Sequence, residues 1–375
     1  MKVLHLISGG DTGGAKTHII NLCSKLKNLV TLKIICFMYG QFYEEVKNAG
    51  IDIDVIEQSS RLDLSVVDKI AKIIENENYD IIHCHGARAN FIGMFLKLKI
   101  KNKLFITTVH SDFDLDFQDS FYKRVFFSFL NKLALKRFDY FVSVGSALID
   151  KIKGLGVRED RIFLLYNGFD FSKEIHYVQK DEFLSKFLDR KVFDSKIVIG
   201  NLSRLYKVKG LDVFIKAASI IAKKYPDVIF LIGGSGPQKE FLKQMISVYN
   251  LNDRVFLLGT IKNPYDFFNS IDINVISSYS ETFPYSILEA TALEKCCISS
   301  KVGSVPDLIE DGKNGFLFEV GDYKGLAQKI EILLQNKDLI KEFGQLLSKK
   351  AKERFSAENM ARMQFEIYKS ILSKK

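Results

Sequence analysis

Short apolar runs recur along the chain, each followed by a turn and then by a longer segment whose apolar positions keep helical spacing. Lys2-Val-Leu-His-Leu-Ile7 is the first run. A glycine-rich turn, Ser8-Gly-Gly-Asp-Thr-Gly-Gly14, leads into a helical pattern from Ala15 to Leu26. Further runs stand at Leu32–Phe37, Ile81–Cys84, Leu104–Val109 and Tyr140–Val144. Strands that alternate with helices predict a parallel sheet covered by helices on both faces. The plan then repeats with runs at Ile197–Gly200, Val228–Ile232, Val255–Leu258 and Ile273–Ile276, separated by helical segments such as Leu211–Lys224 and Gln238–Tyr249. Between the two series, Phe171 to Asp194 is charged and lacks a strong strand signal. The predicted fold is α/β, with two doubly wound domains, 1–175 and 195–355, joined by a linker at 176–194 and facing across a cleft. In such sheets ligands sit beyond the carboxyl ends of the strands.

Composition agrees with this division. A chain of 375 residues is too long for one typical core. Its 47% apolar and 26% charged content, with mean hydropathy near zero, describes a globular protein rather than a disordered one. No run approaches the roughly 18 apolar residues that span a bilayer. The short segment from Met1 to Ile7 does not read as a signal peptide. Five cysteines (Cys23, Cys36, Cys84, Cys296, Cys297) lie in apolar contexts without a Cys-x-x-Cys pair, which points to reduced core thiols and a cytoplasmic compartment. The net charge of +9 suits a phosphorylated substrate or an anionic membrane. It is spread along the chain with no nucleic-acid motif beside it, so nucleic acid is not expected as a partner.

Candidate chemistry gathers at the ends of the predicted strands. Gly13-Gly14 opens a helix, where free backbone N–H groups favour an anion; a plain tight turn is the competing reading. Neither this turn nor Gly234-Ser-Gly236 completes the dinucleotide fingerprint, which disfavours a nicotinamide cofactor. Arg204 and Lys209 follow the first strand of the second domain and are either solvated or placed to hold a diphosphate. Glu281 and Glu289 flank the predicted start of a helix at Pro284, with Ser280 or Thr282 as its cap. Glu289 lies among Ile287, Leu288, Ala290 and Leu293, where an ionised carboxylate is unusual unless something pairs with it. A ligand bearing hydroxyls and phosphates would answer both needs. His83 and His85 share one strand face and His110 ends the next strand. A polar lining of the cleft is favoured over a metal site, because the spacing supplies no further ligands.

One segment, Phe117 to Arg137, combines aromatic residues with an excess of Lys and Arg. Phe117, Phe121, Val125, Phe129 and Leu133 recur at helical spacing, although Lys132 and Lys136 interrupt the stripe. It reads either as a packed helix or as a helix resting on an anionic membrane surface.

Taken in order, these pieces resemble the retaining, nucleotide-sugar-dependent glycosyltransferases of family 4, which have the GT-B architecture of two Rossmann-like domains. The resemblance runs along almost the whole chain. It includes Gly13-Gly14-Ala15, Asp80-Ile-Ile-His-Cys-His-Gly86, Thr108-Val-His110 and Tyr166-Asn-Gly-Phe-Asp170. Arg204 with Lys209-Gly210, Gly233-Gly-Ser-Gly-Pro237, and Glu281 with Glu289 complete the set. It implies that Gly13 and Gly14 approach the donor diphosphate and that Arg204 and Lys209 neutralise it as it leaves. It further implies that Glu281 binds the transferred sugar, Glu289 holds the ribose and His110 lines the sugar subsite. Phe283, Pro284 and Tyr285 belong to the implied donor-binding segment. The implied catalytic residues are thus His110, Arg204, Lys209 and Glu281. Residues 356–375 would form a helix crossing back to the first domain. Relatives usually carry Glu-Gly-Phe where this chain has Glu281-Thr-Phe283, which bears on sugar identity.

The implied reaction moves a sugar from a nucleoside-diphosphate donor, a UDP-sugar in the first instance, to a glycan or lipid-linked acceptor in cell-surface polysaccharide synthesis. Front-face attack with retained configuration is expected, since no second carboxylate is placed as a nucleophile. The nucleotide-sugar is a substrate, and neither a cofactor nor a metal is expected. The protein is expected in the cytoplasm or on the inner face of the cytoplasmic membrane. A sugar-nucleotide epimerase of the same fold and a non-catalytic subunit of a glycosylation complex are the alternatives.

Overall fold

A computed structural model of the protein describes residues 1–10, 13–60, 62–111 and 121–374, without the side chains of 121–127. Its strands are β1 (Lys2–Ile7), β2 (Thr31–Cys36), β3 (Ile53–Val55), β4 (Ile81–His85), β5 (Leu104–Val109), β6 (Tyr140–Ser143), β7 (Ile162–Leu164), β8 (Ile197–Leu202), β9 (Val228–Gly233), β10 (Val255–Gly259), β11 (Ile273–Ile276), β12 (Cys296–Ser300) and β13 (Phe316–Phe318). They form two sheets, ordered β3-β2-β1-β4-β5-β6-β7 and β10-β9-β8-β11-β12-β13, with every pair parallel. Parallel strands covered on both faces must be apolar almost throughout, and β9, Val-Ile-Phe-Leu-Ile-Gly, is buried at all positions. The two sheets belong to two compact units, residues 1–170 with 356–375, and residues 171–355.

In the first unit the helix Ala357–Leu372 packs against the helix Gly14–Leu26. Met360, Ile367, Tyr368 and Ile371 share one buried cluster with Ile19, Leu22, Cys23 and Leu26. Ser356 caps the later helix by accepting the Asn359 N–H at 3.2 Å. Lys25 ties the two helices together through Glu358 at 2.7 Å and also pairs with Asp170 at 2.9 Å.

Residues 176–194, expected as a linker, fall within the second unit. They contain the short helices Lys180–Leu184 and Arg190–Phe193, whose Phe183, Leu184 and Phe193 are buried. The Val178 N–H donates to Asp266 Oδ1 at 3.0 Å, and the Asn269 amide donates to the Val178 carbonyl at 3.0 Å. All five cysteines are free and buried. Among the described residues no helix is long and apolar enough to cross a membrane.

Candidate active site

In each sheet the chain reverses its direction of winding at one point, between β1 and β4 in the first and between β8 and β11 in the second. A doubly wound sheet opens a crevice there, beyond the carboxyl ends of the two strands. In the second unit the loop after β8 carries Arg204 and Lys209, and the loop after β11 carries Glu281. Topology therefore brings the loop of Glu281 beside a loop that carries Lys209, 72 positions earlier.

Local geometry joins these two loops closely. Lys209 Nζ pairs directly with Glu281 Oε1, both side chains being mostly buried. Ser278 Oγ donates to the same carboxylate oxygen at 2.8 Å. The Tyr279 N–H donates to the Val208 carbonyl at 2.8 Å, and Ser277 Oγ donates to the Lys209 carbonyl at 3.2 Å. Arg204 is exposed, its guanidinium 5.2 Å from the centre of the Tyr206 ring. Gly210 closes the Lys207–Lys209 turn with φ of 59°, and an added Cβ would stand 2.0 Å from the Ser277 carbonyl oxygen. Only glycine suits both the backbone and the gap.

The end of β12 and the loop after it brace the glutamate loop. Ser300 Oγ donates to the Ser278 carbonyl at 2.7 Å, and the Ser304 N–H donates to the Thr282 carbonyl at 2.8 Å. Gly303, at φ of 50°, comes so close that an added Cβ would lie 2.1 Å from the Glu281 carbonyl oxygen. Gly303→Ala is therefore expected to lower stability by about 2–3 kcal/mol, combining left-handed backbone strain with a clash. Thermal unfolding measures this directly, and an unchanged Tm would mean the brace yields freely.

Glu289 occupies the second turn of the helix Tyr285–Ala292 and is half-buried. Burial pushes its carboxyl up to about 7, and among the described residues no cation pairs with it. The Tyr265 hydroxyl is raised to about 12, by burial first and by the Glu289 charge second. Pro284 takes the N-cap position rather than the first helical one, and neither Ser280 nor Thr282 caps the helix. Phe283 is buried and stacks on Phe355 with centroids 5.1 Å apart, and the Tyr285 side chain is buried. The rings at these two positions are therefore packed inside the unit rather than offered at its surface.

In the first unit, Gly13 caps the helix Gly14–Leu26 with φ of 95° and no side-chain cap, so the first-turn N–H groups of that helix have no intrahelical acceptor. His110 is half-buried at the end of β5. Expected to line a cleft, His83 and His85 are instead fully buried, together with His5; ligand atoms of all three lie within 4.8 Å of one another. Periodicity did not single out His5, His18 or Tyr368, which join them. A histidine in an apolar strand carries no pattern signal, although its burial requires a hydrogen-bond partner.

Two family models match the chain in succession. Glycosyltransferase Family 4 covers residues 12–173, and Glycosyl transferases group 1 covers residues 185–354. The chain belongs to the group 1, family 4 glycosyltransferases. Its two Rossmann-like units are those of the GT-B class. This glycosyltransferase is 27% identical over 317 residues to the N-acetyl-α-D-glucosaminyl L-malate synthase of Bacillus anthracis, covering 83% of this chain and 80% of that one. It is 26% identical over 310 residues to the N,N′-diacetylbacillosaminyl-diphospho-undecaprenol α-1,3-N-acetylgalactosaminyltransferase of Campylobacter jejuni, covering 80% and 81%. Crystal structures of Anabaena HepE include complexes with UDP and with UDP-glucose. The UDP complex superposes with a TM-score of 0.82 at 22% identity, over 99% of this chain and 100% of that one.

Proposed function

We propose that this glycosyltransferase moves a sugar from a UDP-sugar to a glycan or lipid-linked acceptor, with retention of configuration, in cell-surface polysaccharide synthesis. One observation carries the reading. At the β8/β11 switch point two cationic loop residues, Arg204 and Lys209, stand with Glu281, and the half-buried Glu289 has no cation partner among the described residues. A nucleoside-diphosphate sugar complements that set. Its diphosphate meets Arg204 and Lys209, its sugar hydroxyls meet Glu281, and its ribose hydroxyls donate to Glu289. Gly13 and Gly14 offer N–H groups to the diphosphate and His110 meets the sugar. As the bond from the anomeric carbon to the phosphate oxygen breaks, the acceptor oxygen bonds to that carbon on the same face. The departing phosphate takes the acceptor's proton. The protein's part is to position the reactants and to stabilise charge growing on the diphosphate. These side chains supply the positive charge without a metal.

The test incubates the purified full chain with a panel of nucleotide sugars and candidate acceptors, with and without EDTA. Acceptor-dependent release of UDP, unchanged by EDTA, is the expected result. An epimerised sugar without acceptor product would favour the epimerase alternative, and no turnover of any donor would favour the silent subunit.

An anionic membrane surface belongs to the same proposal, with the enzyme peripheral on the inner face of the cytoplasmic membrane. The Campylobacter relative is named for a lipid-diphosphate acceptor. In the helix Phe121–Leu135, Phe129 is 65% and Leu133 41% exposed, at the spacing of one helix face. Phe117 and the side chains of 121–127 lie outside what is described. The protein is expected to pellet with anionic liposomes, less with neutral ones, and to be released by salt. Equal recovery on both, or on neither, would return this helix to an ordinary surface role.

A further inference from the structure

The first unit buries a continuous hydrogen-bonded chain of side chains. His110 Nε2 lies 3.2 Å from His85 Nδ1, and His85 Nε2 lies 3.0 Å from His5 Nδ1. His5 Nε2 lies 3.4 Å from the Tyr368 hydroxyl, which stands 2.6 Å from His83 Nδ1. His83 Nε2 ends the chain 2.7 Å from Thr108 Oγ1. Thr108 and His110 are two positions apart at the end of β5, so the chain leaves this strand, reaches the C-terminal helix through Tyr368, and returns. Every ring nitrogen of His5, His83 and His85 is engaged, which explains this buried trio without an ion.

Each neutral imidazole has one N–H and one bare nitrogen, and a hydroxyl both donates and accepts. The links therefore point in one common direction, since a reversal would set two hydrogens or two lone pairs against each other or, at Tyr368, leave a buried O–H unused. Neutrality itself follows from burial, which lowers His5 to about 3 and carries His83, His85 and His110 well below the usual histidine range. Thr108 settles the direction. Among the described residues its buried hydroxyl has no acceptor other than His83 Nε2, and an unused buried O–H is costly, whereas a hydroxyl tolerates unused lone pairs. Thr108 donates to His83, His83 Nδ1–H to Tyr368, Tyr368 to His5, His5 Nδ1–H to His85, and His85 Nδ1–H to His110 Nε2.

We propose that this chain holds His83, His5, His85 and His110 in one tautomer, the proton on Nδ1, and so presents His110 Nδ1–H as a hydrogen-bond donor at its open end. Tyr368, His5, His83 and His85 are then positioning residues for His110. What the donor serves rests on the glycosyltransferase reading, in which His110 meets a sugar hydroxyl and needs a fixed donor there. Ring-nitrogen NMR on the full chain labelled with 15N-histidine tests the tautomer without substrate. Protonation at Nδ1 is expected for all four rings of the chain; Nε2 protonation of His110, or different tautomers among the four, overturns the proposal. Tyr368→Phe keeps the ring and removes the central link. The His110 nitrogen signals should move, and kcat should fall about two- to tenfold with donor KM changed much less. A lowered Tm with unmoved His110 signals would reduce Tyr368 to packing and overturn its positioning role. Moved signals with unchanged kcat would uphold the chain and remove His110 from the reaction instead.

Discussion

Lys209→Ala is expected to lower kcat by roughly 10²–10³-fold, the loss typical of removing one preorganised group that meets developing charge. In the proposed reaction negative charge accumulates on the departing diphosphate, so the ammonium contributes more in the transition state than in the donor complex. Donor KM should change much less than kcat. The effect has a second source in the structure. Lys209 pairs with Glu281, which also accepts the Ser278 hydroxyl, so its removal leaves a mostly buried carboxylate beside the proposed sugar site without its cation. Glu281→Gln separates the two contributions, because it removes that anion while leaving Lys209 free to meet phosphate. Lys209→Arg restores charge but not the compact reach of an ammonium, and only partial recovery is expected. Steady-state kinetics on the purified variants decides this, and wild-type kcat in Lys209→Ala would take the ammonium out of the reaction.

That pairing was not legible in the sequence. Lys209 and Glu281 each read as a ligand-facing residue because each follows a strand, and strand-end position is what periodicity reports. Which strand ends are neighbours depends on sheet order, and these two residues are 72 positions apart. The long elements were read well. β5 and the helix Leu211–Lys224 have the predicted limits, since sustained apolar periodicity and a flanking Gly210 mark them clearly. β3, β7 and β13 were not named, each being only three residues long. Nor was β12, Cys-Cys-Ile-Ser-Ser, whose serines look like loop residues. Ser300 is buried because it holds the Ser278 carbonyl, a tertiary demand that overrides strand propensity. The helices inside the expected linker are four and five residues long, too short to show in periodicity; Lys180–Leu184 packs against the helix Pro264–Ser270, and Asp189 caps Arg190–Phe193 by accepting the Lys191 N–H.

Glu289 gives the second large effect, because in the proposed reaction a ribose accounts for a carboxylate in an apolar run. Its folded-state value of about 7 lies above the ordinary 4.5, so between those limits the folded chain holds a proton that the unfolded chain has released. Stability from this group is complete below about pH 4.5 and declines as pH rises through about 7, by at most about 3 kcal/mol and by less where water reaches the carboxylate. Glu289→Gln should flatten that part of the stability profile. Ligand binding has the opposite dependence. Ribose hydroxyls donate more strongly to the ionised carboxylate, so UDP affinity should rise with pH up to about 7 and then level off. At pH 8 Glu289→Ala should weaken UDP binding by roughly 10- to 100-fold, the loss of hydrogen bonds to a charged group. The variant should also bind with a shallower slope between pH 5 and 7, the remainder being the ionisation of the UDP terminal phosphate. Calorimetric titration with UDP measures both. An equal Kd and an equal pH slope in wild type and variant would leave this carboxylate without a ligand, and its burial would then be a cost to the apo fold with no return in binding.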